Sequence, residues 1–118
     1  MYKNGLGIKQ DYTKAVVLFQ KAGDQGNASA QSNLALMYED GHGVKQNYKK
    51  AVLLYQKAAN HGVIDAQVNL GVMYMNGQKV KQDKIKAYKY WMIAAKQGDV
   101  DAKNNLDILC KESPWACK

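Results

Sequence analysis

Leu34-Ala35-Leu36-Met37-Tyr38-Glu39-Asp40-Gly41-His42-Gly43-Val44-Lys45-Gln46 is followed later in the chain by Leu70-Gly71-Val72-Met73-Tyr74-Met75-Asn76-Gly77-Gln78-Lys79-Val80-Lys81-Gln82. The chain opens on the tail of the same phrase, Met1-Tyr2-Lys3-Asn4-Gly5-Leu6-Gly7-Ile8-Lys9-Gln10. Met1, Met37 and Met73 are evenly spaced, 36 residues apart. A fixed period of that size marks a stacked array, because one supersecondary unit cannot bury its apolar face alone.

After each copy comes an apolar stripe. Ala15, Leu18, Phe19 and Ala22 fall at i, i+3, i+4 and i+7, and so do Ala51, Leu54, Tyr55, Ala58 and Ala87, Tyr90, Trp91, Ala94. That spacing predicts a helix with these four positions on its buried face. Asp11, Asn47 and Asp83 stand where an N-cap is needed, since each can accept from unpaired first-turn N–H groups. Gly26, Gly62 and Gly98 stand just past the far end.

The other helix of each repeat is expected to start near Ser29. Its buried stripe is Ala30, Leu34, Met37 and Tyr38, repeated as Ala66, Leu70, Met73 and Tyr74. Small residues at Ala30, Ala66 and Ala102, and at Ala35 and Gly71, allow close helix approach. Gly41 and Gly43 call for positive φ in the turn. Lys79 replaces the second of these glycines in the next copy, so that turn is expected to be strained or rebuilt. A last helix begins near Val100 with Ala102, Leu106 and Leu109 inward. Asp107 takes the place of Ala35 and Gly71, which suits a terminal, polar-faced cap.

All 17 basic residues are Lys, and the formal charge is +7. Without the planar fork of Arg, the chain is not expected to bind nucleic acid. Its charge leaves room for an acidic partner. No apolar run is long enough for membrane insertion, and no signal-peptide pattern is present. His42 and His61 have no second ligand at helical spacing, so no metal site or cofactor is expected. Ser29, Ser32 and Ser113 lack a nucleophile elbow and no acidic pair recurs, so the chain is not read as an enzyme. Cys110 and Cys117 are left as two reduced thiols or as a disulfide. The disulfide is favoured because Pro114 can turn the chain back, which would pin Trp115 over the open end of the last helix. A disulfide implies an oxidising compartment, periplasmic or secreted. Asn33, Asn69 and Asn105 recur once per repeat, and an amide there can bond either a ligand or a neighbouring helix.

Ala30-x-x-x-Leu34-x-x-Met37-Tyr38-x-x-Gly41-x-Gly43-Val44, then Lys50-Ala51, then Lys57-Ala58-Ala59-x-x-Gly62, resembles the Sel-one-like repeats, a subclass of the tetratricopeptide-like helical repeats. The resemblance spans essentially the whole chain. It implies an all-α fold, a right-handed superhelical solenoid of antiparallel helix pairs whose first helices line a concave groove. On this reading residues 1–118 form a single repeat domain. The repeats are 1–36, 37–72 and 73–108, the C-terminal cap is 109–118, and further sequence is expected upstream of Met1. The resemblance also implies a protein-interaction scaffold or adaptor of a bacterial envelope or secreted protein, binding a protein or peptide. Rival roles are an immunity protein that neutralises a toxin and the regulatory region of an enzyme lying upstream. The groove residues it implies are Ser29, Ser32, Asn33, Leu36, Glu39 and Asp40, then Asp65, Val68, Asn69, Val72, Met75 and Asn76, with Asn105 beyond. An opened N-terminal end, with Val16 and Phe19 short of a neighbour, is expected to favour end-to-end self-association.

Overall fold

The structure, a computed structural model, describes residues 5–77 and 80–117, with side chains from Asp11 onward. Its elements are α1 (Gly5–Asp24), α2 (Ala28–Asp40), α3 (Tyr48–Asn60), α4 (Ile64–Asn76), α5 (Lys84–Lys96), α6 (Val100–Glu112) and a closing 3-10 turn (Pro114–Cys117). There is no strand among the described residues. The chain divides into two compact units, Met1–His61 with α1 to α3 and Gly62–Lys118 with α4 to α6 and the 3-10 turn.

In the first unit α2 packs between α1 and α3. Its core is Val16, Ala30, Leu34, Ala35, Ala51, Tyr55 and Ala58. In the second unit α5 packs against both α4 and α6. Ala66, Leu70, Met73, Ala87, Trp91, Ala94, Ala102 and Leu109 are buried there. In α3 and α5 the stripe read at 3.6-residue spacing is thus the core stripe except at i+3, whereas in α1 Ala15, Phe19 and Ala22 are only half-buried and Val16, outside the stripe, is the buried residue. Leu18 is 65% exposed, and its repeat mates Leu54 and Tyr90 are only half-buried. The i+3 position lies at the edge of the apolar arc, and in α1 nothing covers it.

Each helix pair is folded back by the same turn, built from the quoted stretch. Gly41 (φ 72°) and Gly77 (φ 67°) end α2 and α4 in the left-handed conformation, which a Cβ disfavours. Their N–H groups donate to the carbonyls of Met37 and Met73. Gln46 Nε2 then reaches back to the Glu39 carbonyl and Gln82 Nε2 to the Met75 carbonyl, both at 2.8 Å. Asn47 N–H donates to the Tyr38 carbonyl and Asp83 N–H to the Tyr74 carbonyl, both at 2.9 Å. These bonds hold Asn47 and Asp83 extended, so that their side chains cap α3 and α5 by accepting from Lys50 N and Lys86 N. Asp11 does not cap: α1 runs unbroken through it. The carbonyl that would hold it extended belongs to Tyr2, outside the described residues. The Lys79 turn also falls outside the described residues.

α2 begins one residue before Ser29, capped by Asn27, whose Oδ1 accepts from Ala30 N at 2.9 Å. Asp99 caps α6 in the same way through Ala102 N. At the C-terminus Cys110 and Cys117 form a disulfide with Cα atoms 5.7 Å apart. It closes the 3-10 turn against α6 and α5. The plug is not Trp115, which is 59% exposed, but Ala116 and Ser113, both buried. Lys84 Nζ donates to Ser113 Oγ at 2.9 Å and lies over the Trp115 ring. A four-residue turn buries small side chains against a helix more readily than an indole, which here stays outside as a shelf for the lysine.

Candidate functional site

Helices α4, α5 and α6 enclose a cleft of about 290 Å³, lined by Val72, Met75, Asn76, Trp91, Asn105 and Ile108. Four of the six are expected groove residues: Val72, Met75, Asn76 and Asn105. They meet because positions 72, 75 and 76 fall on one side of α4 at i, i+3 and i+4, while 105 and 108 are i, i+3 on α6.

Trp91 makes the floor. Its ring is 4% exposed, and its Nε1 donates to the Val68 carbonyl on α4 at 3.2 Å. The indole fits there because residue 71 has no side chain. A Cβ on Gly71 would overlap Nε1 and Cδ1 of the ring and lie 2.6 Å from Cε2. In the first unit the corresponding residues are Ala35 and Tyr55, both fully buried, and Tyr55 Oη donates to Glu39 Oε1 at 2.9 Å. Where Glu39 stands, the second unit has Met75, in the cleft wall. The set Ala–Tyr–Glu therefore makes a polar contact where Gly–Trp–Met lines an apolar cleft.

The remaining expected groove residues are placed as follows. On α2, Ser29, Asn33, Leu36 and Asp40 are exposed. Ser32 is buried, and Glu39 is half-buried with its carboxylate on Tyr55. On α4, Asp65 is exposed, while Val68 and Asn69 are half-buried and are not cleft walls. Of the three recurring asparagines, only Asn105 lines this cleft. The sequence reading missed Trp91 and Ile108. Ile108 carries the same register as Leu36 and Val72, so extending the period to α6 would have found it. Trp91 was read as core, which it is; its second role as a floor depends on Gly71 and has no mark in one-dimensional spacing.

Chemically the cleft offers apolar surface and two neutral amides, Asn76 and Asn105. Among the described residues no group of three or more His, Cys, Asp or Glu could hold a metal ion. His42 stacks on Tyr12 with ring centroids 4.4 Å apart. His61 Nδ1 bonds the Lys57 carbonyl at 2.8 Å. No described helix is long and apolar enough to cross a membrane.

The family description "Sel1 repeat" matches residues 1–27, 28–63 and 64–99. A crystal structure of a protective antigen present in uropathogenic Escherichia coli strains, displaying an SLR fold, aligns at TM-score 0.83 and 36% identity, over 92% of this chain and 23% of that one. A Sel1 repeat protein from Oxalobacter formigenes aligns at TM-score 0.82 and 31% identity, over 90% of this chain and 43% of that one. The chain thus spans less than half the length of these relatives. No curated protein matches it. The fold is an all-α repeat solenoid, a class whose repeats generally serve as protein–protein interaction modules rather than catalysts. With three consecutive repeats matched, the chain belongs to the Sel1 repeat family.

Proposed function

We propose that the chain is the partner-binding part of a scaffold or adaptor in the bacterial envelope or outside the cell, and that the α4–α6 cleft takes an apolar side chain of a protein or peptide. The observation that carries this reading is the Trp91-floored cleft. A buried, hydrogen-bonded indole under Val72, Met75 and Ile108 is a pre-formed apolar seat. Asn76 and Asn105 are placed at it to pair with the backbone of the segment that brings the anchor. Pre-formed pockets of this kind concentrate binding energy in a few contacts.

Two facts support the location. The Cys110–Cys117 disulfide persists only where thiols are oxidised. The similar Escherichia coli protein is described as a protective antigen, which suits a protein accessible to antibodies. The test is a pull-down from the native envelope fraction with wild-type chain beside an Ile108→Asp variant. Ile108 is 55% exposed, so the carboxylate should not disturb folding but should clash with an apolar anchor. Specific proteins held by the wild type and lost by the variant support the reading. The same proteins held by both, or nucleic acid recovered without protein, refute it.

A further inference from the structure

A second surface lies in the first unit, on helices the proposed cleft does not use. Between α1 and α3, across Leu34 and Tyr38 of α2, runs a groove of about 250 Å³ lined by Gln20, Lys50, Leu53, Leu54 and Lys57 besides those two. No wall residue is acidic. Lys50, Leu53, Leu54 and Lys57 are spaced i, i+3, i+4 and i+7 along α3. The same phrase occurs one period earlier on α1 as Lys14, Val17, Leu18 and Lys21. In the third copy it breaks down to Lys86, Lys89, Tyr90 and Ile93.

The apolar members of this phrase are not there to fill the core. Leu18 is 65% exposed, Leu53 59% and Val17 48%, while the core of the same helices is carried by Val16, Ala51, Tyr55 and Ala58. Exposed apolar residues scattered singly need no explanation, but on α3 an apolar pair with charged ends lines a groove, which marks a contact surface. The lysines fix its polarity. On each helix they are two turns apart, about 10.5 Å, with the apolar pair between them. Lys50 Nζ is held over the Tyr38 ring, 5.3 Å from its centroid, at the groove wall.

We propose that the α1–α3 groove is a second docking site, and that its occupant is an acidic amphipathic helix of a partner protein. Adjacent apolar residues of that helix enter beside Leu53 and Leu54, over Leu34 and against Gln20 on the α1 side. Carboxylates about two turns apart flank them and meet Lys50 at one end and Lys57 at the other. Charge complementarity selects this occupant: the walls carry cations and no anion, and the chain as a whole carries +7. A helix laid in a groove uses i, i+3, i+4 and i+7 anchors, the spacing already present on the receiving side.

The experiment uses the 118-residue chain and a fluorescein-labelled synthetic helix with Glu at i and i+7 and Leu at i+3 and i+4, followed by anisotropy. The expected result is saturable binding that weakens roughly tenfold or more with Leu53→Asp and falls steeply as salt is raised toward about 1 M. A peptide with Lys in place of both Glu should not bind, and Ile108→Asp should leave binding unchanged. The melting curve of Leu53→Asp should match wild type, because residue 53 is exposed. No binding overturns the proposal, as does equal binding by Leu53→Asp or by the Lys peptide. Phosphatidylglycerol vesicles taken up in a Leu53-dependent way while the peptide is ignored would assign the stripe to a lipid surface and overturn it too. Dimerisation abolished by Leu53→Asp, with no peptide binding, would assign the stripe to a second copy.

Discussion

Gly71→Ala is the most informative single change. On an open helix this substitution stabilises by about 1 kcal/mol through helix propensity. Here the new Cβ would enter the Trp91 indole, 2.6 Å from Cε2 and nearer still to Nε1 and Cδ1. The ring cannot step aside cheaply, since it is 4% exposed and tied to the Val68 carbonyl. Overpacking costs about 1–3 kcal/mol, and losing the indole hydrogen bond about 1 more. After subtracting the propensity gain, the net destabilisation is about 1–3 kcal/mol. That corresponds to a fall in Tm of about 4–8 °C per kcal/mol for a small domain, read by circular dichroism at the helical band. Combining Gly71→Ala with Trp91→Tyr and Met75→Glu rebuilds the set seen in the first unit as Ala35, Tyr55 and Glu39. It should recover most of the loss while removing the floor and one wall of the cleft, so partner binding should not recover. A Gly71→Ala chain that melts at or above wild type would refute the reasoning, for it would show that the indole relaxes freely.

Reduction of Cys110–Cys117 removes a short loop closure worth on the order of 2–3 kcal/mol in the chain-entropy model and should lower Tm; thiol titration of the unreduced chain should find no free cysteine, and two titrating thiols would contradict the cap. Asp99→Ala takes away the oxygen that accepts from Ala102 N and should cost about 1 kcal/mol; chemical denaturation showing no change in midpoint would mean that the 3-10 turn and its disulfide alone hold α6. Asn105→Ala should weaken partner binding by about 1 kcal/mol or more if the amide pairs with partner backbone, with melting unchanged; early melting with normal binding would return it to a structural role. At high concentration, sedimentation should reveal self-association through the apolar surface of α1, and a strictly monomeric boundary would count against it.

The 36-residue period, the two kinds of helix and the core stripes of α3, α4 and α5 were legible in the sequence, because helix geometry maps spacing directly onto faces. So was the glycine turn, since Gly41 and Gly77 stand where backbone with a Cβ would be strained. The cysteine bridge was legible for a local reason as well: Pro114 and a six-residue gap leave little freedom in where Cys117 can go. Tertiary structure decided the rest. Leu18 has the spacing of a core residue but no neighbour to cover it, and burial is a property of both sides of a contact. Asp11 has the chemistry of an N-cap, yet a cap also needs the extended backbone that the Tyr38 and Tyr74 carbonyls impose on Asn47 and Asp83. Ser32 and Glu39 sit at groove registers but are claimed by packing and by Tyr55. The cleft itself arises from residues twenty positions apart, Gly71 and Trp91, whose complementary volumes meet only when α4 packs on α5. Periodicity states which residues share a face; the shape of what lies between two faces is fixed only when they are brought together.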